Sequence, residues 1–168
     1  ALQLMGIAAH VYADTFAHYG FSGISSDHNL IMEGSLDADD THSSGILDYL
    51  SAQASNFKSK FTGAPKLGHG AVLTYPDRPY LKWSFKYRDG TPSARSNPDT
   101  YLQGCEALHR RFAQFSSVYY GNLAREPLGW QSMRDLVKGI IETEGTGNER
   151  VDYWMKAMDG NFLPGVEP

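Results

Sequence analysis

The 168-residue sequence predicts a mainly α-helical, bundle-like fold with one small β-hairpin. Several segments repeat apolar residues every three or four positions, as amphipathic helices do. Residues 80–88 instead alternate apolar and polar side chains, which is typical of a half-buried strand. Glycine, proline and serine are concentrated between these segments, where turns are expected. Because single domains are commonly roughly 100–200 residues long, we expect residues 1–168 to form one helical domain.

The first predicted helix covers residues 2–18 and leads into a long loop, 19–43, rich in Gly, Ser and Asp. At about 100° per residue, four polar residues of this helix fall within an arc of about 80°: Gln3, His10, Asp14 and His18. Because most of its remaining surface is apolar, we expect the helix to be mostly buried. Loops as long as 19–43 are more often functional than idle in a compact domain, so this one is expected to cover a site. A second helix is predicted over 44–61.

The rest of the chain supplies the hairpin and three further helices. The strand at 80–88 is expected to pair with residues 71–75 across a turn at Pro76–Pro79. Asn97 has the character of an N-cap and Pro98 that of a first helical residue, so a third helix is predicted to start there. Two shorter helices are predicted near 129–143 and 148–158.

Charge is unevenly distributed along the chain. The formal net charge is −4, yet residues 1–57 contain seven acidic residues and no Lys or Arg. An acidic chain is poorly suited to general nucleic-acid binding through a basic face, so nucleic acid is not the expected partner. The acidic part needs counter-charge, which solvent, the basic part of the chain, a partner or a bound metal ion could supply.

The sequence also limits the class of protein. No stretch approaches the ~18 consecutive apolar residues of a membrane span, and the start lacks the pattern of a signal peptide. Cys105 is the only cysteine, so no internal disulfide can form, which is compatible with a cytoplasmic location but leaves the location open. Helical periodicity begins at Ala1 without a preceding N-cap residue, so we expect a fragment whose amino-terminal part is missing or is a separate partner chain.

His10, Asp14 and His18 form an H-x3-D-x3-H pattern on the polar stripe of the first helix. Imidazole and carboxylate are ligands of zinc and related metals, so the pattern predicts a divalent metal site. On a straight helix the two histidines lie about 12 Å apart, too far to share one metal. Either Asp14 bridges two metals, or the helix ends before His18. A solvent-facing stripe and a hydrogen-bond network are the alternatives, although solvent faces normally carry Lys, Glu or Arg.

Three loop positions complete the candidates. His69 stands in G-H-G, where glycines permit close approach of other segments, so it is a further possible ligand, although a loop histidine without that role is more common. Asp77 could act as ligand, as base or as turn former, the last being the most common role. The acidic segment 37–42 has some features of a calcium loop, but His42 stands where glycine is needed, so a solvated loop is expected.

Two segments, GIAAHVYADTFAHYGFSGI at 6–24 and LGHGAVLTYPDRPYLKW at 67–83, together resemble an uncharacterised, mainly bacterial family, domain-of-unknown-function family 6765. The spacing to N-P-D-T-Y-L at 97–102 also fits that family. The resemblance extends roughly from Leu4 to Trp154 and covers the carboxy-terminal part of the family's usual length. It implies that a preceding part carries further His and Asp residues.

More distantly, the H-x3-D helix is similar to the metal-binding helix of the zinc-dependent phospholipase C superfamily, which includes single-strand nucleases. That similarity implies a multinuclear zinc site with His10, Asp14 and His18 as helix ligands, Asp14 as the bridging carboxylate and His69 as a later ligand. The usual later H-x3-E pair is absent, because Leu73 stands four residues after His69.

The sequence therefore predicts a metal-dependent hydrolase, a phosphoesterase of phospholipase C-like or nuclease-like type that uses a metal-activated water. Zinc is the expected metal, Asp14 is expected to bridge metal ions, and Asp77 is expected to orient or deprotonate the water. The alternative is a non-catalytic helical module in which the same histidines hold a structural metal or a hydrogen-bond network, or serve a partner-binding role.

Overall fold

A computed structural model describes residues 1–60, 67–123 and 128–158. In these ranges the chain forms five α-helices and a three-stranded antiparallel sheet, which confirms the predicted mainly α fold with a small hairpin. The elements are α1 (Leu2–Ala17), β1 (Asp37–Ala38), α2 (Ser44–Lys60), β2 (Lys82–Lys86), β3 (Pro92–Ser96), α3 (Asn97–Tyr120), α4 (Trp130–Glu142) and α5 (Gly147–Met158). Residue 61, the expected end of the second helix, lies outside the described residues.

The sheet is centred on β2, which pairs antiparallel with both β1 and β3. The expected pairing of this strand with residues 71–75 is wrong, because Gly70–Val72 forms a 3-10 turn. The strand instead turns back through Asp89 and Gly90 onto β3. Gly90 adopts φ +89°, and Asp89 Oδ1 accepts a hydrogen bond from the Thr91 amide. An Asp-Gly pair between two strands is a strong hairpin signal, because the turn needs positive φ.

The core lies between the sheet, α2 and the segment 72–81. Along β2 the side chains of Trp83 and Phe85 are buried, whereas those of Lys82, Ser84 and Lys86 are exposed, as the alternation predicts. The buried residues of this core are Ala38, Ile46, Leu50, Val72, Tyr75, Tyr80, Leu81, Trp83 and Phe85. The core therefore anchors the segment that precedes β2.

Two helices, α1 and α4, pack against α3, and α5 packs against α4. Phe16 of α1 lies against Gly104, where an added Cβ would come within 3.3 Å of its ring. The Arg111 guanidinium lies 5.9 Å from the centre of the Tyr12 ring. Because the later residue of α1 meets the earlier residue of α3, the two helices run antiparallel, and Gly104 lets them approach closely.

The expectation that the first helix is mostly buried is wrong. No residue of α1 is fully buried, and Leu4, Ile7 and Val11 are 70%, 65% and 58% exposed. The helix does not use these three residues against α3, which it meets through Tyr12 and Phe16. An apolar helix surface shows how much area can be buried, but the neighbouring elements decide which part of it is covered.

The start of α3 differs by one residue from the prediction. Ser96 is the N-cap, Asn97 is the first helical residue and Pro98 lies in the first turn. The Asn97 side chain is engaged by buried groups of the segment before β2, so it does not cap the helix. In the described part of the chain, no helix combines the length and hydropathy that crossing a membrane requires.

Candidate metal centre

Three side chains from separate segments converge at one point on the molecule. His18, His69 and Asp77 each offer one ligand atom, and these atoms lie within 4.8 Å of one another. His18 Nε2 is 2.9 Å from Asp77 Oδ1, and the His18 and His69 rings stack with their centres 4.2 Å apart. Among the described residues, this is the single group of three or more His, Cys, Asp or Glu side chains with that geometry.

His18 reaches this cluster because α1 ends just before it. The last helical residue is Ala17, and His18 is the C-cap with φ −104° and ψ 18°. Of the two alternatives that the histidine spacing leaves open, the helix does end before His18. Its backbone leaves the helical path, and its imidazole meets Asp77, which is 59 residues later in the chain.

The His69 imidazole is held in one orientation by its own turn. Nδ1 lies 2.9 Å from the Leu73 carbonyl oxygen. Because a carbonyl can only accept, Nδ1 carries the proton and donates, and the lone pair of the neutral ring is on Nε2. Metal-binding histidines are commonly oriented in this way by a backbone carbonyl. Leu73 adopts φ +57°, which residues other than glycine rarely occupy.

Asp77 lies in a turn that α3 anchors through Asn97. The Asn97 side-chain Nδ2 donates to the carbonyl oxygens of Tyr75 and Arg78, at 2.7 and 2.8 Å. Its Oδ1 accepts from Trp83 Nε1 at 2.8 Å. Asn97 is 4% exposed, so these bonds are shielded from water. The two carbonyls flank Asp77, and Asn97 therefore fixes the turn that presents its carboxylate.

Tyr101 also anchors the turn that carries Asp77, and nearby charges shift the pKa of its hydroxyl. Its hydroxyl donates to the Pro76 carbonyl oxygen at 2.9 Å. Burial raises the pKa of the Tyr101 phenol far above its usual value; the charges of Asp77 and Asp14 raise it further, and Arg150 lowers it. The phenol therefore stays protonated and keeps donating.

His10 and Asp14 form a separate pair on α1. His10 Nε2 is 3.6 Å from Asp14 Oδ2, and the two side chains are 77% and 46% exposed. The structure thus brings together three of the five residues that the sequence singles out, and leaves these two on the helix that leads to His18. The bridging role of Asp14 stays a prediction.

The loop 19–43 contacts the segment that carries His69. The Gly68 amide donates to the Ser22 carbonyl at 3.0 Å, and Ser25 forms an antiparallel bridge with Leu67. The buried Asn29 supports this part of the loop, since its side chain bonds to both backbone groups of Ser22. The start of the loop therefore ties the backbone after His18 to the backbone before His69.

The three side chains are of types that bind zinc, and two of them are partly open to solvent. Two imidazoles and one carboxylate are zinc ligands, and tetrahedral zinc at about 2.0–2.1 Å from its donors requires donors roughly 3.3 Å apart. The present donors lie within 4.8 Å of one another. The side chains of His18 and Asp77 are 27% and 46% exposed, so a position beside them is open to solvent.

Sequence reasoning missed one polar cluster, centred on His42. The expectation that segment 37–42 is solvated is wrong for this residue, which is 9% exposed. Its Nε2 accepts from the Lys82 amide at 2.9 Å, so Nδ1 is the protonated nitrogen and donates to Glu144 Oε1 at 2.7 Å. Burial opposes ionisation of Glu144, but hydrogen bonds from Ser43 and His42 outweigh it and lower its pKa. No sequence pattern links Glu144 to His42, because they are 102 residues apart.

Comparison with known proteins identifies one family. The model of a family of unknown function, DUF6765, matches residues 1–167. No curated protein and no solved structure matches the chain. The match includes α1, the G-H-G turn and the segment before β2, which together supply the candidate ligands. The chain therefore belongs to DUF6765, a family of unknown function.

Proposed function

We propose that this chain is a metal-dependent hydrolase of phosphoric esters and that His18, His69 and Asp77 hold its divalent cation, zinc. The proposal depends on one observation, the convergence of two imidazoles and a carboxylate beside open solvent. Catalytic zinc sites commonly use three protein ligands of these types and leave another position for water or substrate. Structural zinc sites instead close the coordination sphere with four protein ligands.

The residues around the cluster have separable roles in this proposal. A divalent cation held there would polarise a phosphoryl oxygen and lower the pKa of a coordinated water. The Leu73 carbonyl holds His69 with Nε2 unprotonated, which is the state that a ligand requires. Asp77 is better suited to be a ligand than a free base, because its Oδ1 already meets His18. Asp14 is the carboxylate that we assign to a second cation position.

The substrate is proposed to be a small phosphoric ester or a phospholipid headgroup. The exposed side of the cluster gives such a molecule access to His18 and Asp77. A net charge of −4 disfavours a polyanion, because nucleic-acid binding depends largely on Lys and Arg contacts to phosphates.

Zinc titration by calorimetry tests the metal part of the proposal. The unaltered chain is expected to bind zinc, and His18→Ala, His69→Ala and Asp77→Asn are each expected to weaken binding at least tenfold. His109→Ala is the matched control, because His109 bonds to the Leu128 carbonyl, away from the cluster. An unaltered chain that binds none of zinc, manganese, cobalt or iron would refute the site.

Hydrolysis of bis(p-nitrophenyl) phosphate and of phosphatidylcholine by the zinc-loaded chain tests the catalytic part. Release of nitrophenolate or of a phosphorylated headgroup is expected, and chelation should abolish it. Tight zinc binding without turnover of either substrate would contradict this phosphoesterase assignment and leave the metal site standing.

A non-catalytic module is the second candidate, and one observation favours it. The 2.9 Å contact between His18 Nε2 and Asp77 Oδ1 is a complete hydrogen bond without any metal. In that case His18→Ala would lower the free energy of unfolding in the presence of a chelator, and zinc would not stabilise the unaltered chain. A rise in melting temperature with zinc that disappears in His18→Ala would argue against this alternative.

A further inference from the structure

Arg95 on β3 is a buried cation without an acidic partner among the described residues. It is 5% exposed, and its Nε and Nη1 atoms are buried without a hydrogen-bond partner. Nη2 donates to Tyr87 Oη at 3.3 Å. Four aromatic rings surround the guanidinium, those of Tyr19, Phe21, Trp83 and Phe85, at 4.1, 4.9, 5.2 and 5.2 Å from its central carbon.

Stability alone does not account for a guanidinium in this position. Aromatic faces attract a cation and recover part of the free energy of desolvation. Unpaired buried N–H groups nevertheless lower stability, and even buried ion pairs, whose charges have partners, can often be replaced by apolar residues of similar volume without loss of stability. An apolar side chain at position 95 would avoid the cost of these unpaired N–H groups, so a second role for Arg95 is indicated.

Arg95 lies directly against the turn that follows His18. The turn is closed by the Phe21 amide, which donates to the His18 carbonyl at 3.2 Å. Tyr87 Oη donates to the Gly20 carbonyl at 3.1 Å, so this hydroxyl links Arg95 to the turn. Gly20 adopts φ +79°, and a Cβ there would lie 2.9 Å from Arg95 Nη2. Side chain and turn are therefore in close contact.

The same turn continues into the backbone that holds His69. The Ser22 carbonyl accepts from the Gly68 amide, and Ser25 bridges Leu67. A displacement at residues 19–21 would therefore be transmitted in both directions, to His18 before them and to His69 through residues 22–25.

We propose that Arg95 is a positioning residue of the metal centre. Together with Tyr87 it holds the turn at 19–21, and the turn keeps the His18 and His69 imidazoles where both can bind the same cation. This inference rests on the proposed function, because it requires a cation at His18, His69 and Asp77. Arg95 itself lies outside the cluster and acts through the backbone. Partners that orient ligands in this way typically change metal affinity 10–100-fold when they are removed.

The test compares metal affinity with metal-free stability in matched variants. Arg95→Met keeps the apolar stem and removes the charge and donors, Arg95→Lys keeps the charge, and Tyr87→Phe removes the bridging hydroxyl. Arg88→Met, at an exposed arginine of the same hairpin, is the control. Cobalt(II) titration followed by visible absorption gives affinity and coordination geometry, and urea unfolding with a chelator gives stability.

We expect Arg95→Met to bind cobalt(II) about 10–100-fold more weakly, with altered absorption bands. Its metal-free stability should be unchanged or higher. Tyr87→Phe should weaken binding in the same direction by a smaller factor, Arg95→Lys should restore part of the affinity, and Arg88→Met should match the unaltered chain.

Unaltered affinity in Arg95→Met would overturn the positioning role while leaving the proposed metal site intact. A loss of metal-free stability in parallel with affinity would assign Arg95 a purely structural role and also overturn it. If Arg95→Met fails to fold, Tyr87→Phe becomes the deciding variant. Unaltered cobalt(II) affinity in Tyr87→Phe would then refute the proposed link between Arg95 and the metal centre. Absence of cobalt(II) binding by the unaltered chain would overturn both this inference and the proposed function.

Discussion

Replacing Asn97 with alanine is expected to weaken both the fold and the candidate metal centre. The Asn97 amide makes three buried hydrogen bonds, to Trp83 Nε1 and to the carbonyl oxygens of Tyr75 and Arg78. One donor on one side and two acceptors on the other settle the orientation of the amide. Asn97→Ala removes all three bonds without introducing a new polar group.

The size of the effect follows from the count of bonds and their burial. A typical hydrogen bond contributes about 1 kcal/mol net, so three give a loss of about 3 kcal/mol. Trp83 is 3% exposed and Tyr75 is 7% exposed, so neighbouring groups remain shielded when their partner is removed. Whole domains are stable by roughly 5–15 kcal/mol, so this loss is a large fraction of the total.

Urea unfolding followed by circular dichroism, with a chelator present, measures the stability change. Zinc titration measures the second effect, a weaker site, because both carbonyls that flank Asp77 lose their anchor. Asn148→Ala is the control, at an exposed asparagine of α5, and should change stability by less than about 0.5 kcal/mol. A loss below about 1 kcal/mol in Asn97→Ala, with unaltered zinc affinity, would refute the reasoning.

Two further predictions concern the fold. The pKa of Glu144 is lowered despite burial, by hydrogen bonds from Ser43 and His42, so the ionised carboxylate stabilises the fold above the usual glutamate pKa. That contribution to the free energy of unfolding is lost as the pH falls through the lowered pKa. Between about pH 7 and pH 3, Glu144→Gln should therefore lose less stability in urea unfolding than the unaltered chain. Parallel plots of stability against pH for the two proteins would contradict this. Leu50→Ala, at a 2% exposed position, should lower the free energy of unfolding by about 2–5 kcal/mol. Leu4→Ala, at a 70% exposed position, should lower it by less than about 0.5 kcal/mol. Equal losses in the two variants would contradict the burial of Leu50 and the exposure of Leu4.

Local patterns predicted the secondary structure well where the pattern was long. The helices α2 to α5 and the strand β2 lie where periodicity or alternation predicts them, because side-chain spacing is a local property of the chain. For the partner of this strand the prediction is wrong, because the segment around Asp77 forms successive turns and the Asp89–Gly90 hairpin signal lies on the other side of the strand. Pairing depends on turn chemistry, which the alternation of one strand does not contain.

The sequence alone identifies residues whose side chains can bind a cation, but it does not show which of these residues lie together in the fold. Side-chain chemistry makes His69 and Asp77 candidates, although a loop histidine and a turn-forming aspartate are the more common roles. Sequence spacing groups His18 with His10 and Asp14 instead. The structure groups His18 with His69 and Asp77, since α1 stops at Ala17. Sequence spacing assumes that a helix continues, whereas its actual end is set by the turn that packs after it.

By itself, then, the sequence determined the mainly helical class, the position of the central strand and the residue types able to bind a cation. These follow from spacing and side-chain chemistry within short windows. Tertiary structure alone decided which histidines meet Asp77, that α1 leaves an apolar side exposed, and that Arg95 lies under the turn after His18. Those features join residues that are far apart in the chain, so they depend on how the elements pack.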